Sequence, residues 1–260
     1  MIKKVVSSVV LLITLACFSI TFLPPSSLVA KEVIIAIGDS ITQADTHWTV
    51  QGHKNTIQGG WVTRLASILN ENFPYEYEVI NKGINGDTAY GVLKRLSRDV
   101  IPLKPDIVII AIGTNDIFAR LSADPSFTPN AYQRTVTRIF NQLQLNLRDT
   151  PVFVMGMTTS LRKYAHMRFG NFLPQQNIVQ AVFNDYNKIL WELTKGYNFF
   201  YVDLPSQWPG DIEESWELCA DGIHPNNAGY DLMAAILYDT LTSTVLHLRQ
   251  KSDTKSSAMP

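Results

Sequence analysis

An α/β domain built on one parallel sheet, with helices on both faces, is the fold class that this 260-residue sequence predicts. Three observations lead to it. Short apolar runs rich in β-branched residues alternate with longer amphipathic stretches, which is the pattern of βαβ units. The third and fourth runs are nearly continuous in apolar character, as strands buried on both faces are. The unusual residues lie just after the runs, where ligands gather in parallel sheets.

The chain opens with Lys3 and Lys4 before a mostly apolar run over residues 5–23, followed by Pro24, Pro25, Ser26 and Ser27. This predicts an export signal over 1–30, cut after Ala30, and a periplasmic or extracellular destination. An uncleaved N-terminal membrane anchor is the alternative, since the run approaches the length that spans a bilayer. Cys17 suggests lipidation only weakly, because Thr14 and Leu15 fit poorly where that motif has an aliphatic and a small residue. Cleavage leaves Cys219 as the sole cysteine, so no internal disulfide can form.

Strands are predicted over 33–37, 77–81, 107–112, 152–155 and 199–202. Helices are predicted over 61–71, 89–100, 131–147, 178–195 and 228–246. In the third helix Val136, Ile139, Phe140, Leu143 and Leu147 recur at helical spacing and mark a buried stripe. Right-handed crossovers then distribute the helices over both faces of the sheet. One catalytic domain over 31–248 is the expected organisation, with a polar, flexible C-terminal tail over 249–260.

Hydrophobic residues make up 46% and charged residues 17%, a mix too apolar for a disordered chain. The formal net charge of -1 supplies no basic surface for nucleic acid. A small or neutral substrate fits better.

Gly38-Asp39-Ser40 follows the first strand, Gly83-Ile84-Asn85-Gly86-Asp87 the second and Gly113-Thr114-Asn115-Asp116 the third; Asp221-Gly222-Ile223-His224-Pro225 lies between the fifth strand and the last helix. A nucleophilic serine needs a base within hydrogen-bond reach, and the base needs a third group to fix its tautomer. Ser40, His224 and Asp221 have those types, and three residues of separation across a glycine-containing loop let Asp221 and His224 meet. Each piece alone is ordinary: serine after a strand is usually a turn former or cap, and an Asx turn accounts for Asn115 equally well. Their co-occurrence, each after a predicted strand, is what singles them out. No Gly-x-Ser-x-Gly elbow surrounds Ser40, and neither a Walker A sequence nor His-Glu-x-x-His is present.

These segments resemble the conserved blocks of the GDSL, or SGNH, hydrolase family, in order and from about Ile34 to about Leu241. Gly38-Asp39-Ser40 resembles the first block, with Ile41 where the short name has leucine. Gly83, within Asn81-Lys82-Gly83-Ile84-Asn85-Gly86, is read as the second-block glycine and Asn115 as the third-block asparagine. Asp221 and His224 resemble the last block. The resemblance implies a three-layer αβα sandwich, flavodoxin-like, with a five-stranded parallel sheet. It implies a carboxylic ester hydrolase, an esterase or lipase, working without metal or organic cofactor. Ser40 is then the nucleophile, His224 the base and Asp221 its partner, while the oxyanion hole comprises the Ser40 and Gly83 N–H groups and the Asn115 amide. Asp39 is read as support for the loop.

Specificity is expected in loops at the same sheet edge. Residues 45–60 carry Trp48 and the histidines His47 and His53, of which the two histidines read best as solvent-exposed, and 120–130 follow the asparagine block. Residues 158–174 carry Tyr164, His166, Phe169 and Phe172, and Trp208 and Trp216 precede the histidine. Such aromatics either meet substrate or pin the loops as local clusters. The expected partner is a small-molecule, lipid or acylated-carbohydrate ester, with no nucleic acid and with membrane attachment only through the N-terminal segment. Two rivals stand beside hydrolysis: acyl transfer by the same triad, and a non-enzymatic carbohydrate- or lipid-binding module on the same fold.

Overall fold

In the computed structural model the chain from Lys31 onward forms one unit around a five-stranded, all-parallel sheet in the order β2-β1-β3-β4-β5, the flavodoxin order. The structure describes residues 30–44, 59–158, 176–209, 217–219 and 223–257. The strands are β1 (Glu32–Gly38), β2 (Tyr77–Gly83), β3 (Ile107–Ala111), β4 (Val152–Met155) and β5 (Phe200–Val202). Each falls on an apolar run anticipated from the sequence, and β2 and β5 take the two edges.

The continuous apolar character of β1, β3 and β4 has its cause in two cores. Ile35, Ile37, Val108, Ile110, Val152 and Val154 point to one face. There they meet α3 (Ala89–Asp99), α5 (Pro129–Asn146) and α6 (Gln176–Gly196). Ile34, Ala36, Ile107, Ile109, Phe153 and Met155 point to the other, against α2 (Trp61–Asn72) and α8 (Asn227–Ser257). Successive strand residues thus enter opposite cores, and neither face tolerates a polar side chain. The stripe on α5 lies as its spacing predicts, with Val136, Ile139, Phe140 and Leu143 buried. Removing one such side chain to alanine costs roughly 2–5 kcal/mol.

Sequence and structure part at short helices. α1 (Ser40–Gln43), α4 (Thr114–Leu121), α7 (Leu204–Gln207) and a 3₁₀ turn at Ile101–Leu103 are too short to show a period. The last helix continues to Ser257, past the expected end at 246 and through most of the segment read as a tail. Residues 1–29, which carry the signal-or-anchor expectation, lie outside the described residues.

Strand register positions the site. Gly38 ends β1 level with Gly83 of β2 and with Ala111 of β3. The segments that follow the three strands therefore emerge side by side at one edge. The chain leaves β1 for β2 on one side and returns to β3 on the other, so this edge is the topological switch point where parallel sheets bind ligands.

Candidate active site

Ser40 is the first residue of α1, directly beyond the end of β1. Asp39 makes the turn: its Oδ1 accepts the Ile41 N–H at 3.0 Å, and its carbonyl accepts the N–H groups of Thr42 and Gln43. Asp39 is thus the helix cap, in the supporting role read for it. Ser40 is 6% exposed, so its hydroxyl sits at the floor of the edge rather than on open surface.

His224 comes from the other end of the chain. Cys219 and Pro225 form an antiparallel bridge across its loop, and the Asn226 N–H donates to the Leu218 carbonyl at 2.7 Å. Asn226 Oδ1 accepts the Gly229 N–H, capping α8. Buried Ile223 and Pro225 flank the histidine and anchor its backbone. So held, His224 Nε2 lies 2.9 Å from Ser40 Oγ, across 184 residues of sequence. With the proton on Nδ1, Nε2 accepts the serine hydroxyl, which is the arrangement a general base requires. Asp221 lies outside the described residues.

Asn115 lies in the first turn of α4 and donates one amide hydrogen from Nδ2 to the Asp87 carbonyl at 2.8 Å. That bond fixes the amide and leaves its second hydrogen available. Gly83 departs from the sequence reading. Its N–H donates to Asn81 Oδ1 at 2.8 Å, while Asn81 Nδ2 donates to the Thr42 carbonyl at 2.7 Å. A Cβ on Gly83 would overlap the backbone of Thr42 and Gln43. Gly83 is therefore glycine so that α1 can lie against β2, and its donor is already engaged. Gly86 differs in each respect: it adopts φ +74, a Cβ there would meet nothing within 4 Å, and no described group accepts its N–H. It also immediately precedes Asp87, the residue that Asn115 grips.

The GDSL-like lipase/acylhydrolase family model matches residues 36–232, a span that begins in β1 and ends within α8. The chain belongs to this family. It is accordingly a carboxylic ester hydrolase. It is similar to the acetylxylan esterase of Geobacillus stearothermophilus, with 26% identity over 207 residues, covering 78% of this chain and 90% of that protein. A crystal structure of a candidate GDSL-like lipase from Parabacteroides merdae superimposes with a TM-score of 0.68 at 23% identity, over 81% of this chain and 96% of that one. The crystal structure of the Geobacillus acetylxylan esterase gives 0.64 at 21% identity, over 80% and 93%. At such identities the structures attest the fold, and the family model attests the membership.

In this GDSL-like hydrolase two carboxyl groups behind the serine are displaced from their ordinary behaviour. Burial pushes Asp39 up to about 7, against the pull of the Ile41 N–H and of His224. Burial likewise pushes Asp116 up to about 7, although its Oδ2 accepts the Ala89 N–H at 2.9 Å. Burial thus disfavours the ionised form of both carboxyls in this layer.

The remaining sequence candidates divide. Trp208 is 4% exposed and packs in the core beneath α8, so the reading as a local hydrophobic cluster is the correct one there. Residues 120–130 form the end of α4, a turn and the start of α5, pinned where Tyr186 Oη donates to the Phe127 carbonyl. His47, Trp48, His53, Tyr164, His166, Phe169, Phe172 and Trp216 lie outside the described residues. Sequence reasoning missed Asn187, whose amide exchanges two hydrogen bonds with the Met157 backbone at 2.8 and 2.9 Å, fixing the segment after β4. It also missed a cavity of about 220 Å³ walled by Tyr90, Asp116, Phe127, Tyr132 and Tyr186. Those residues are scattered over α3 to α6 and share no motif.

Proposed function

We propose that this chain is an exported serine esterase whose nucleophile is Ser40, with His224 as base and Asp221 orienting it. The single observation that carries the reading is the 2.9 Å hydrogen bond from Ser40 to His224 at the switch point of the sheet. His224 removes the hydroxyl proton as Oγ attacks the ester carbonyl. The developing oxyanion is held by the Ser40 N–H, by the second Asn115 hydrogen and by the N–H of Gly86 in place of Gly83. Collapse breaks the bond to the alcohol oxygen, which takes the proton from His224 and leaves an acyl group on Ser40. Water then attacks, its proton passes to His224, and the acid departs as Ser40 recovers its hydrogen.

Acylated carbohydrate is the substrate class we favour. The Geobacillus relative is named for acetylxylan, and the cavity beside Asp116 is flanked by the exposed ring of Tyr90, a surface on which a sugar ring can stack. Export follows from the basic, apolar N-terminus and places cleavage after Ala30, so that the mature chain begins at Lys31.

A fluorophosphonate probe tests the chemistry. It should label Ser40 in the parent and not in Ser40→Ala, whose turnover of acetyl esters should fall by roughly four orders of magnitude or more with the fold intact. A folded Ser40→Ala protein that still turns over ester removes the assignment. Acetylated xylan beside aryl acetate, butyrate and octanoate, with an added alcohol to reveal transfer, assigns the acyl and acceptor preferences.

A further inference from the structure

Arg95 is a buried cation to which the esterase reading gives no task. It projects from the middle of α3 with 6% of its surface exposed. Its guanidinium makes four hydrogen bonds: Nε to Asp87 Oδ2 at 2.7 Å, Nη1 to the Lys82 carbonyl at 2.7 Å and to Asp99 Oδ2 at 3.2 Å, and Nη2 to the Gly38 carbonyl at 2.9 Å. Charge neutrality alone accounts for the two carboxylates. It does not account for the two carbonyls, which belong to different strands at the very ends from which the site loops spring.

The acceptors stand in a definite relation to the oxyanion donors. Gly38 lies two residues before Ser40, and its carbonyl also accepts the Ile84 N–H at 3.0 Å, tying β1 to the loop after β2. Lys82 is the penultimate residue of β2, one before the segment that carries Gly86. Asp87 follows Gly86, and its carbonyl holds the Asn115 amide. One rigid, planar group thus touches the segments that present Ser40 and Gly86 directly, and reaches Asn115 through Asp87, whose side chain it holds and whose carbonyl fixes the Asn115 amide.

We propose that Arg95 is a positioning residue for the oxyanion hole, its guanidinium fixing the spacing of the segments that present Ser40, Gly86 and Asn115; this rests on the esterase reading above. Preorganised donors stabilise a transition state only if they are already in place, and a displacement of about 1 Å at a reacting centre costs on the order of 100-fold in rate. Lysine preserves the charge that Asp87 and Asp99 require, but its ammonium is a point donor on a shorter reach. It cannot bridge both strand ends and both carboxylates together.

The test compares the parent, Arg95→Lys, Asn115→Ala and the double variant on a soluble aryl acetate. kcat is expressed per Ser40 titrated with a fluorophosphonate, and melting temperature is measured on the same preparations. Arg95→Lys should lower kcat per titrated site by about tenfold to a hundredfold with KM within about threefold, because the lost interaction acts mainly on the transition state. Combined with Asn115→Ala it should add less than its own full factor, since both act at one hole. A merely structural arginine would lower the melting temperature and the titratable fraction while leaving kcat per titrated site alone. That result, or full multiplication of the two single effects, overturns the proposal. If Arg95→Lys does not fold, Asp87→Asn weakens the same clamp from its acceptor side, and an unchanged kcat per titrated site there is equally decisive against it. Should the parent fail to label at Ser40, the esterase reading falls and this proposal with it; a labelled parent beside an unaffected Arg95→Lys defeats only the role of Arg95.

Discussion

Asp116→Asn should flatten the pH dependence of stability. Asp116 is 4% exposed, and burial pushes its carboxyl from 3.8 up to about 7. Between those values the folded protein holds a proton that the unfolded chain has released, so stability falls as pH rises. The contribution is fully present below pH 4 and lost by the time the folded carboxyl ionises near 7. Each such proton contributes about 1.4 kcal/mol per pH unit, hence about 4 kcal/mol over the whole window and about 2 kcal/mol between pH 5.0 and 6.5. Asparagine retains an acceptor for the Ala89 N–H and cannot ionise. Urea unfolding of parent and Asp116→Asn at pH 5.0 and 6.5 should therefore show the parent losing about 2 kcal/mol more than the variant, or roughly 4–8 °C in melting temperature for a domain of this size. Asp39, displaced to the same value by the same cause, contributes a slope of its own in both proteins; its charge also raises Asp116, so the comparison reads Asp116 together with that coupling. Parallel stability curves for parent and variant would refute the claim that Asp116 is buried as the acid.

Asn115→Ala should lower kcat per titrated Ser40 by roughly 100- to 1000-fold with little change in KM, since the amide acts on charge that exists only in the transition state; unchanged kcat per titrated site takes Asn115 out of the site. Gly83→Ala should destabilise the fold by about 2 kcal/mol or more, because its Cβ meets the α1 backbone. Gly86→Ala should cost only about 1 kcal/mol, the strain of a left-handed alanine in open space. Equal melting temperatures for the two variants would contradict the assignment of a packing role to Gly83.

How much was legible in the sequence follows the range of the physics involved. β1, β3 and β4 could be read because burial on both faces leaves only apolar residues, a local and redundant signal. The Ser40 and His224 segments could be read because each carries unusual residues after a strand, although 184 residues separate them. α4 could not, since its eight residues begin inside the motif that a tight turn explains equally well. Trp208 resisted for another reason: a tryptophan in a loop near the site has the same sequence signature whether it faces substrate or, as here, the core.

The two glycines after β2 show the limit most sharply. Gly83 and Gly86 sit three residues apart in one motif, and each is glycine for a backbone reason, one for close approach and one for positive φ. Spacing cannot separate those reasons. What separates them is α1, folded from residues some 40 positions earlier, which occupies the space beside Gly83 and sets Asn81 across to its N–H through the Thr42 carbonyl. Which N–H after β2 is left for a ligand is thus decided by which one the fold has already used. Arg95 was unreadable by the same logic, for an arginine on an amphipathic helix reads as a solvated charge. Only the level ends of β1 and β2 bring the Gly38 and Lys82 carbonyls within one guanidinium's span and turn a surface residue type into an internal strut.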